Sequence, residues 1–309
     1  MAVVGADSKH PITQDIVEKA SQRLGFKPAF WGRYFKGPSD PSEDQFHAAH
    51  ESAVLKTHGI HVLPVARQTK HVGGTFEQGK ADGAGNAAAV LEAFGKDETE
   101  RRGGRITIFL DVEGDPDLSA DYYRGWAEGV TSTSRALAPA VYGPPPRYAA
   151  TYQALSAAIA AGAECRGVWV ARYPHAQFDS APNWQEELIR SEHLPANVPI
   201  LGWQFVENVD GLYDFNLVNP SFEAEFAAGL AQMLPAVAPI PAPAPKTEPP
   251  AKPQSAPPPA KASTPTQPSA PAPQPPPPVA PAKPARPMAP MLVLLWIIMR
   301  MLFGARVPL

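Results

Sequence analysis

Two unlike patterns of apolar and polar positions divide the chain. From residue 3 to about residue 234, short apolar runs alternate with longer stretches of helical period. Strands are expected at 3–6, 30–35, 60–66, 106–113, 140–142, 167–171, 199–205 and 212–217. Helices are expected at 12–24, 42–57, 75–94, 119–137, 148–161, 184–189 and 219–234. Ser42-Glu43-Asp44-Gln45 and Thr75-Phe76-Glu77-Gln78 have the form of capping boxes, and Gly25, Gly59, Gly95 and Gly162 stand at helix ends. Gly79, Gly83 and Gly85 weaken the first half of the 75–94 helix.

Eight strands alternating with helices imply a parallel sheet, and eight in about 230 residues point to a closed α/β barrel, the (β/α)8 TIM barrel. An open doubly wound sheet would carry a glycine-rich phosphate loop after its first strand, and Gly5-Ala6-Asp7-Ser8 is not one.

The second pattern begins at Pro235. Residues 235–290 hold more than half of the chain's 39 prolines, mixed with Ala, Lys, Ser, Thr and Gln. Such a segment cannot bury a core and reads as a disordered, partly polyproline-II linker. Residues 291–303 are intensely apolar but interrupted by Arg300, and shorter than the roughly 20 residues a membrane span needs. The short apolar segment of 291–309 is expected to touch a membrane or dock on another protein. The N-terminus lacks the charged start, apolar run and cleavage site of a secretory signal.

Charge follows the same boundary. Residues 1–234 carry 20 Lys and Arg against 29 Asp and Glu, and the remainder carry seven against one. An acidic globular part argues against a nucleic-acid partner. One cysteine, Cys165, excludes a disulfide framework, and the eight histidines show no metal-ligand spacing. No metal and no organic cofactor are expected.

Candidate chemistry gathers where the barrel places it. Active sites of such barrels lie at the C-terminal ends of the strands. The ends here carry Asp7, Arg33 and Tyr34, Arg67 and Gln68, Asp111 and Glu113, Tyr142, Arg172 and Tyr173, Trp203 and Gln204, and Asp214. Asp111 and Glu113 close an apolar run at i, i+2, which on a strand turns both carboxylates to one side. Carboxylates beside aromatic faces and an amide suit a carbohydrate cleft.

Taken in order, Gly5-Ala6-Asp7-Ser8, Gly32-Arg33-Tyr34, Asp111-Val112-Glu113, Trp169-Val170-Ala171-Arg172-Tyr173, Trp203-Gln204 and Asp214-Phe215-Asn216 carry a resemblance. Over residues 3–234 the chain resembles the family-25 glycoside hydrolases, the lysozyme-like muramidases. It resembles still more their relatives in the glycoside-hydrolase-like family first described as domain of unknown function 1906. Family-18 chitinases fit less well, because their strand-four motif needs a further acid where Phe109 stands.

The resemblance implies a hydrolase of peptidoglycan or another N-acetylhexosamine polymer, with Asp7, Asp111, Glu113 and Asp214 lining the site. Glu113 would be the proton donor. Asp111 would hold that proton and orient the N-acetyl group, and Asp7 and Asp214 would stabilise charge or position water. Tyr34, Tyr142, Tyr173 and Trp203 would offer stacking faces, and Gln68 and Gln204 amide contacts. Arg33 and Arg172 would bind an acidic group or pair with the acids. A glycan-binding barrel without catalysis, tethered at the cell envelope, is the competing expectation, and a phage-released lysin is a third.

Overall fold

The computed structural model describes residues 2–36, 44–67, 70–101, 104–113, 115–174, 178 and 180–232. The expected linker, the apolar C-terminal segment, Gln68 and the first half of the Ser42 capping box lie outside them.

The described chain is an α/β barrel. Its strands are β1 (Val4–Asp7), β2 (Phe30–Tyr34), β3 (His61–Arg67), β4 (Ile106–Asp111), β5 (Leu137–Gly143), β6 (Val168–Ala171), β7 (Ile200–Val209) and β8 (Tyr213–Val218). They close in chain order into one barrel. Its helices are α1 (Gln14–Leu24), α2 (Ala48–His58), α3 (Phe76–Phe94), α4 (Lys96–Arg101), α5 (Ala120–Thr133), α6 (Ala149–Ala160), α7 (Glu186–Ile189) and α8 (Glu223–Ala228).

The sheet is not wholly parallel, as strand–helix alternation implied. β8 runs antiparallel to both β7 and β1. The reason is local: no helix separates β7 from β8. Asn208, Asp210 and Gly211 have φ of 56°, 54° and 74°, a left-handed turn that folds β7 straight back into β8. Asp210-Gly211 is a hairpin signal embedded in the apolar run. Reversal puts Asp214 near the start of its strand, yet opposite Asp7 in register and so at the mouth formed by the C-terminal ends of β1–β7.

Other boundaries moved for equally plain reasons. α5 stops at Thr133, and Leu137, expected inside that helix, begins β5. Helix α2 starts at Ala48 rather than at Ser42, because Gln45 bridges Tyr34 and the Glu51 carboxylate accepts from the His47 amide over 2.8 Å. The last helix is short. Asn219 accepts from the Ser221 amide and opens one 3-10 turn, α8 ends at Ala228, and Ala231 then bridges Val62.

Two apolar cores divide the strand residues by parity, except on β7, where a register irregularity beside Leu201 shifts the alternation. Inward positions, among them Phe30, Leu63, Val65, Phe109, Trp169, Leu201 and Val218, fill the barrel with Phe226 and Leu230. Outward positions such as Trp31, Ile108, Leu110, Val170 and Trp203 pack under the helices. The glycines of α3 have a packing use. A Cβ at Gly79 or Gly83 would sit 2.1 and 2.2 Å from carbonyl oxygens of α5, and one at Gly125 or Gly129 would sit 1.9 and 2.2 Å from carbonyl oxygens of α3. Four glycines, two on each helix, thus let two backbones touch, which outweighs their low helix propensity.

Candidate active site

Gln204 is the hub of the mouth. It lies on β7 with its side chain turned inward and is 1% exposed. Its Nε2 donates to Oδ2 of Asp7 at 3.0 Å and to Oδ2 of Asp214 at 2.9 Å. Its Oε1 accepts from the hydroxyls of Tyr142 at 2.5 Å and Tyr173 at 2.7 Å. Every hydrogen-bonding position of that amide except the backbone's own is therefore used, and the reverse orientation would aim its oxygen at two carboxylates.

Asp7 also accepts from Asn216 Nδ2 at 2.7 Å, and Asn216 Oδ1 in turn accepts from the Trp169 indole at 2.9 Å. Tyr142 packs edge-on against Trp169, ring centres 4.6 Å apart. Asp214 accepts from the Asn208 amide at 2.5 Å, which fastens the acid to the β7–β8 hairpin. Burial pushes Asp7 up to about 6, against the pull of Asn216, Gln204 and the Arg33 charge. Burial, then the nearby Asp7 charge, pushes Asp214 up to about 8.

Asp111 ends β4 two residues after Phe109, on the inward side. Its carboxylate is fully buried, and neither oxygen has a hydrogen-bond partner. Burial, and next the charge of Glu113, hold its pKa well above the usual carboxylate range, only partly offset by Arg67. Glu113 lies beyond the strand and is exposed. The pair expected at the end of one strand is thus a buried acid under an exposed one.

Arg67, at the end of β3, brings a cation to this mouth. Its guanidinium lies 5.0 Å from the centre of the Tyr34 ring and pairs with Asp44. Burial and the Asp111 charge push the Tyr34 hydroxyl upward, and burial does the same to Tyr142 and Tyr173.

Three expected ligand contacts lie elsewhere. Arg33 neighbours inward Gly32 and Tyr34 on β2, so its own side chain turns outward. There it is fully buried and grips Glu51 through two bonds of 2.7 and 2.9 Å. It also donates to the carbonyls of Ser8, Asp44 and Gln45. Trp203, beside inward Gln204, is buried under the helices, donating to the Arg172 carbonyl at 2.7 Å and facing Trp184. The Arg172 guanidinium donates to the Leu188 carbonyl of α7. Gln68 is outside the described residues. Arg67 was placed at the mouth from sequence, and Trp169 and Asn216 stood in its motifs, but none of the three was assigned a role there. The i, i+2 relation of Asn216 to Asp214 and of Arg67 to Val65 was the signal for two of them.

Among the described residues, no group of three His, Cys, Asp or Glu could hold a metal ion. A cavity of about 650 Å³ flanks the mouth, bounded by Tyr34, Lys36, Gln45, His47, His50 and Glu92. A larger groove of about 1080 Å³ lies by the opposite end of β4, lined by Arg105, Thr131, Ser134 and Glu164, and touches none of these acids.

No protein-family model matches the sequence, and no curated protein matches it. Solved structures do. An uncharacterized protein of B. stearothermophilus, 19% identical, aligns over 74% of this chain and 99% of its own with a TM-score of 0.57. A muramidase from Acremonium alcalophilum is 16% identical over 74% of this chain and 98% of its own, TM-score 0.43. A family GH25 lysozyme from Aspergillus fumigatus is 14% identical over 74% and 99%, TM-score 0.43. The first of these establishes a shared fold.

Proposed function

We propose that the chain is a glycoside hydrolase of cell-wall glycan, acting through carboxylate acid–base catalysis at the barrel mouth. One observation carries the reading: Asp7, Asp111 and Asp214, all with raised pKa, converge below exposed Glu113 within a ring of Tyr34, Tyr142 and Tyr173. Cleaving a glycosidic bond needs a proton for the leaving oxygen and negative charge beside the forming oxocarbenium ion. Glu113, reaching into solvent, gives its proton to that oxygen as the bond to the anomeric carbon breaks. Asp7, held in place by Gln204 and Asn216, supplies the negative charge. Asp214 positions the water that completes hydrolysis, and the Glu113 carboxylate left by the first step takes up that water's proton, which restores the acid. Asp111 keeps a proton beneath Glu113, so that the two never repel as a pair of anions. Tyr173, 36% exposed, offers a ring and hydroxyl to the sugar.

A second reading, a glycan-binding barrel without catalysis, draws on the exposure of Glu113, which nothing in the described site buries as a proton donor is often buried. In either reading the proline-rich segment is a spacer and residues 291–303 tether the barrel to a membrane or a partner. A soluble, monomeric reporter fused to residues 288–309 would overturn the tether. Incubating the full chain with peptidoglycan and with chitin oligomers separates the readings. The proposal expects new reducing ends whose masses name the bond; binding without them overturns catalysis on those glycans.

A further inference from the structure

Around Gln204 the hydrogen-bonding character of the mouth is one-sided, and this bears on which sugar it holds. The Gln204 amide spends both its hydrogens on Asp7 and Asp214. The hydroxyl hydrogens of Tyr142 and Tyr173 point at Gln204 Oε1, so both oxygens offer only lone pairs to a ligand. Asp7 and Asp214 stand behind them as acceptors. Arg67 is stacked on Tyr34 and paired with Asp44. Beneath lies Asp111, fully buried with no partner for either oxygen. Such a carboxylate is costly to ionise, and the Arg67 charge offsets its burial only in part, so a ligand can bring the further positive neighbour it lacks.

An N-acetyl group presents one N–H and a carbonyl, and the carbonyl asks the protein for a donor. A free amino group presents two or three N–H donors. We infer that the mouth takes a hexosamine with a free amino group, so that the substrate is a de-N-acetylated stretch of glycan, recognised by the acceptors of Asp7, Asp214, Tyr142 and Tyr173 above the unpartnered carboxylate of Asp111. The inference rests on the glycan reading and narrows it. Whichever partner carries the proton before encounter, an ammonium facing a carboxylate results: an amine that enters neutral takes the proton of an acid, and one that enters charged displaces that proton to solvent.

Calorimetric titration of the full chain with the trimer of glucosamine, with its fully N-acetylated counterpart and with trilysine tests this. The free-amine trimer binds tighter than the N-acetylated one, by on the order of tenfold for one charge-assisted contact, and tighter than trilysine. Asp111→Asn reduces that preference. It relieves a buried unpaired acid, so it does not threaten the fold, and a thermal melt verifies this. Equal or tighter binding of the N-acetylated trimer overturns the inference and leaves the glycan reading standing. Trilysine binding as well as the free-amine trimer reduces the effect to general attraction by an acidic surface and overturns it too. An unchanged preference in Asp111→Asn does the same, and no binding of either sugar overturns the inference and the glycan reading together.

Discussion

Gln204 and Asp7, 197 positions apart in the chain, meet at 3.0 Å across the seam where the barrel closes. The bond fixes an acid of the first strand to a strand near the end, and the same amide fixes Asp214 and two tyrosine hydroxyls. Gln204→Leu keeps the volume and removes all four bonds. Leaving buried polar groups unsatisfied costs roughly 1–3 kcal/mol each, with partial relaxation among neighbours. A loss of about 2–4 kcal/mol in denaturant unfolding is expected, together with loss of glycan binding.

Arg33 and Glu51 are both sealed from solvent and bonded bidentately. Glu51 also accepts from the Ile12 and His47 amides, so the pair holds the β1–α1 connection and the start of α2. Removing one partner strands a buried charge, at about 3–5 kcal/mol. Arg33→Ala should lower thermal stability sharply at every ligand concentration. An Arg33→Ala protein of unchanged melting temperature and weakened glycan binding would return Arg33 to the ligand.

Gly83 and Gly129 give the most local stability test. In an exposed helix, Gly→Ala gains up to about 1 kcal/mol. Here each new methyl would press a backbone carbonyl at 2.2 Å. Either substitution should instead destabilise by about 1–3 kcal/mol as α3 and α5 are pushed apart. Chemical denaturation of Gly83→Ala, beside an exposed-helix control, reads the sign.

The raised acids set the slope of stability with pH. A carboxyl whose folded pKa lies above its unfolded value binds more protons folded than unfolded, so stability falls as pH rises between the two. For Asp214 that window runs from the usual carboxylate range to about 8, and for Asp7 to about 6. Asp111, raised by burial and by Glu113, acts in the same direction. Asp111→Asn should therefore be more stable than the natural chain near neutral pH and lose that advantage below about pH 4. Melting temperatures across that range decide it; an advantage independent of pH would mean that Asp111 is ionised throughout.

The barrel was legible because its strands are apolar and its helices are punctuated. Thr75 accepts from the Gln78 amide as its capping box implied, and Thr13 and Ser119, which were not named as caps from sequence, accept from the Ile16 and Tyr122 amides in the same way. The reversed strand escaped because regular alternation of strand and helix outweighed Asp210-Gly211, a turn signal two residues long. The site was legible at strand ends but not by face. Alternation assigns Tyr34 inward and Arg33 outward once one inward residue on β2 is known, which only the closed barrel supplied; on β7 the register irregularity beside Leu201 turns Gln204 rather than Trp203 inward, which alternation from Leu201 would not give. Asp111 and Glu113 differ more than their spacing implied, since β4 ends at Asp111 and the parity rule lapses there.

Glu113→Gln tests the central claim most directly. The substitution keeps size and hydrogen bonding but removes the proton the leaving oxygen needs. The full chain and this variant should be incubated side by side with peptidoglycan, and new reducing ends followed by mass spectrometry. The account predicts ends from the natural chain and a loss of at least about two orders of magnitude in the variant, with an unchanged melting temperature. Equal rates from both proteins would contradict it.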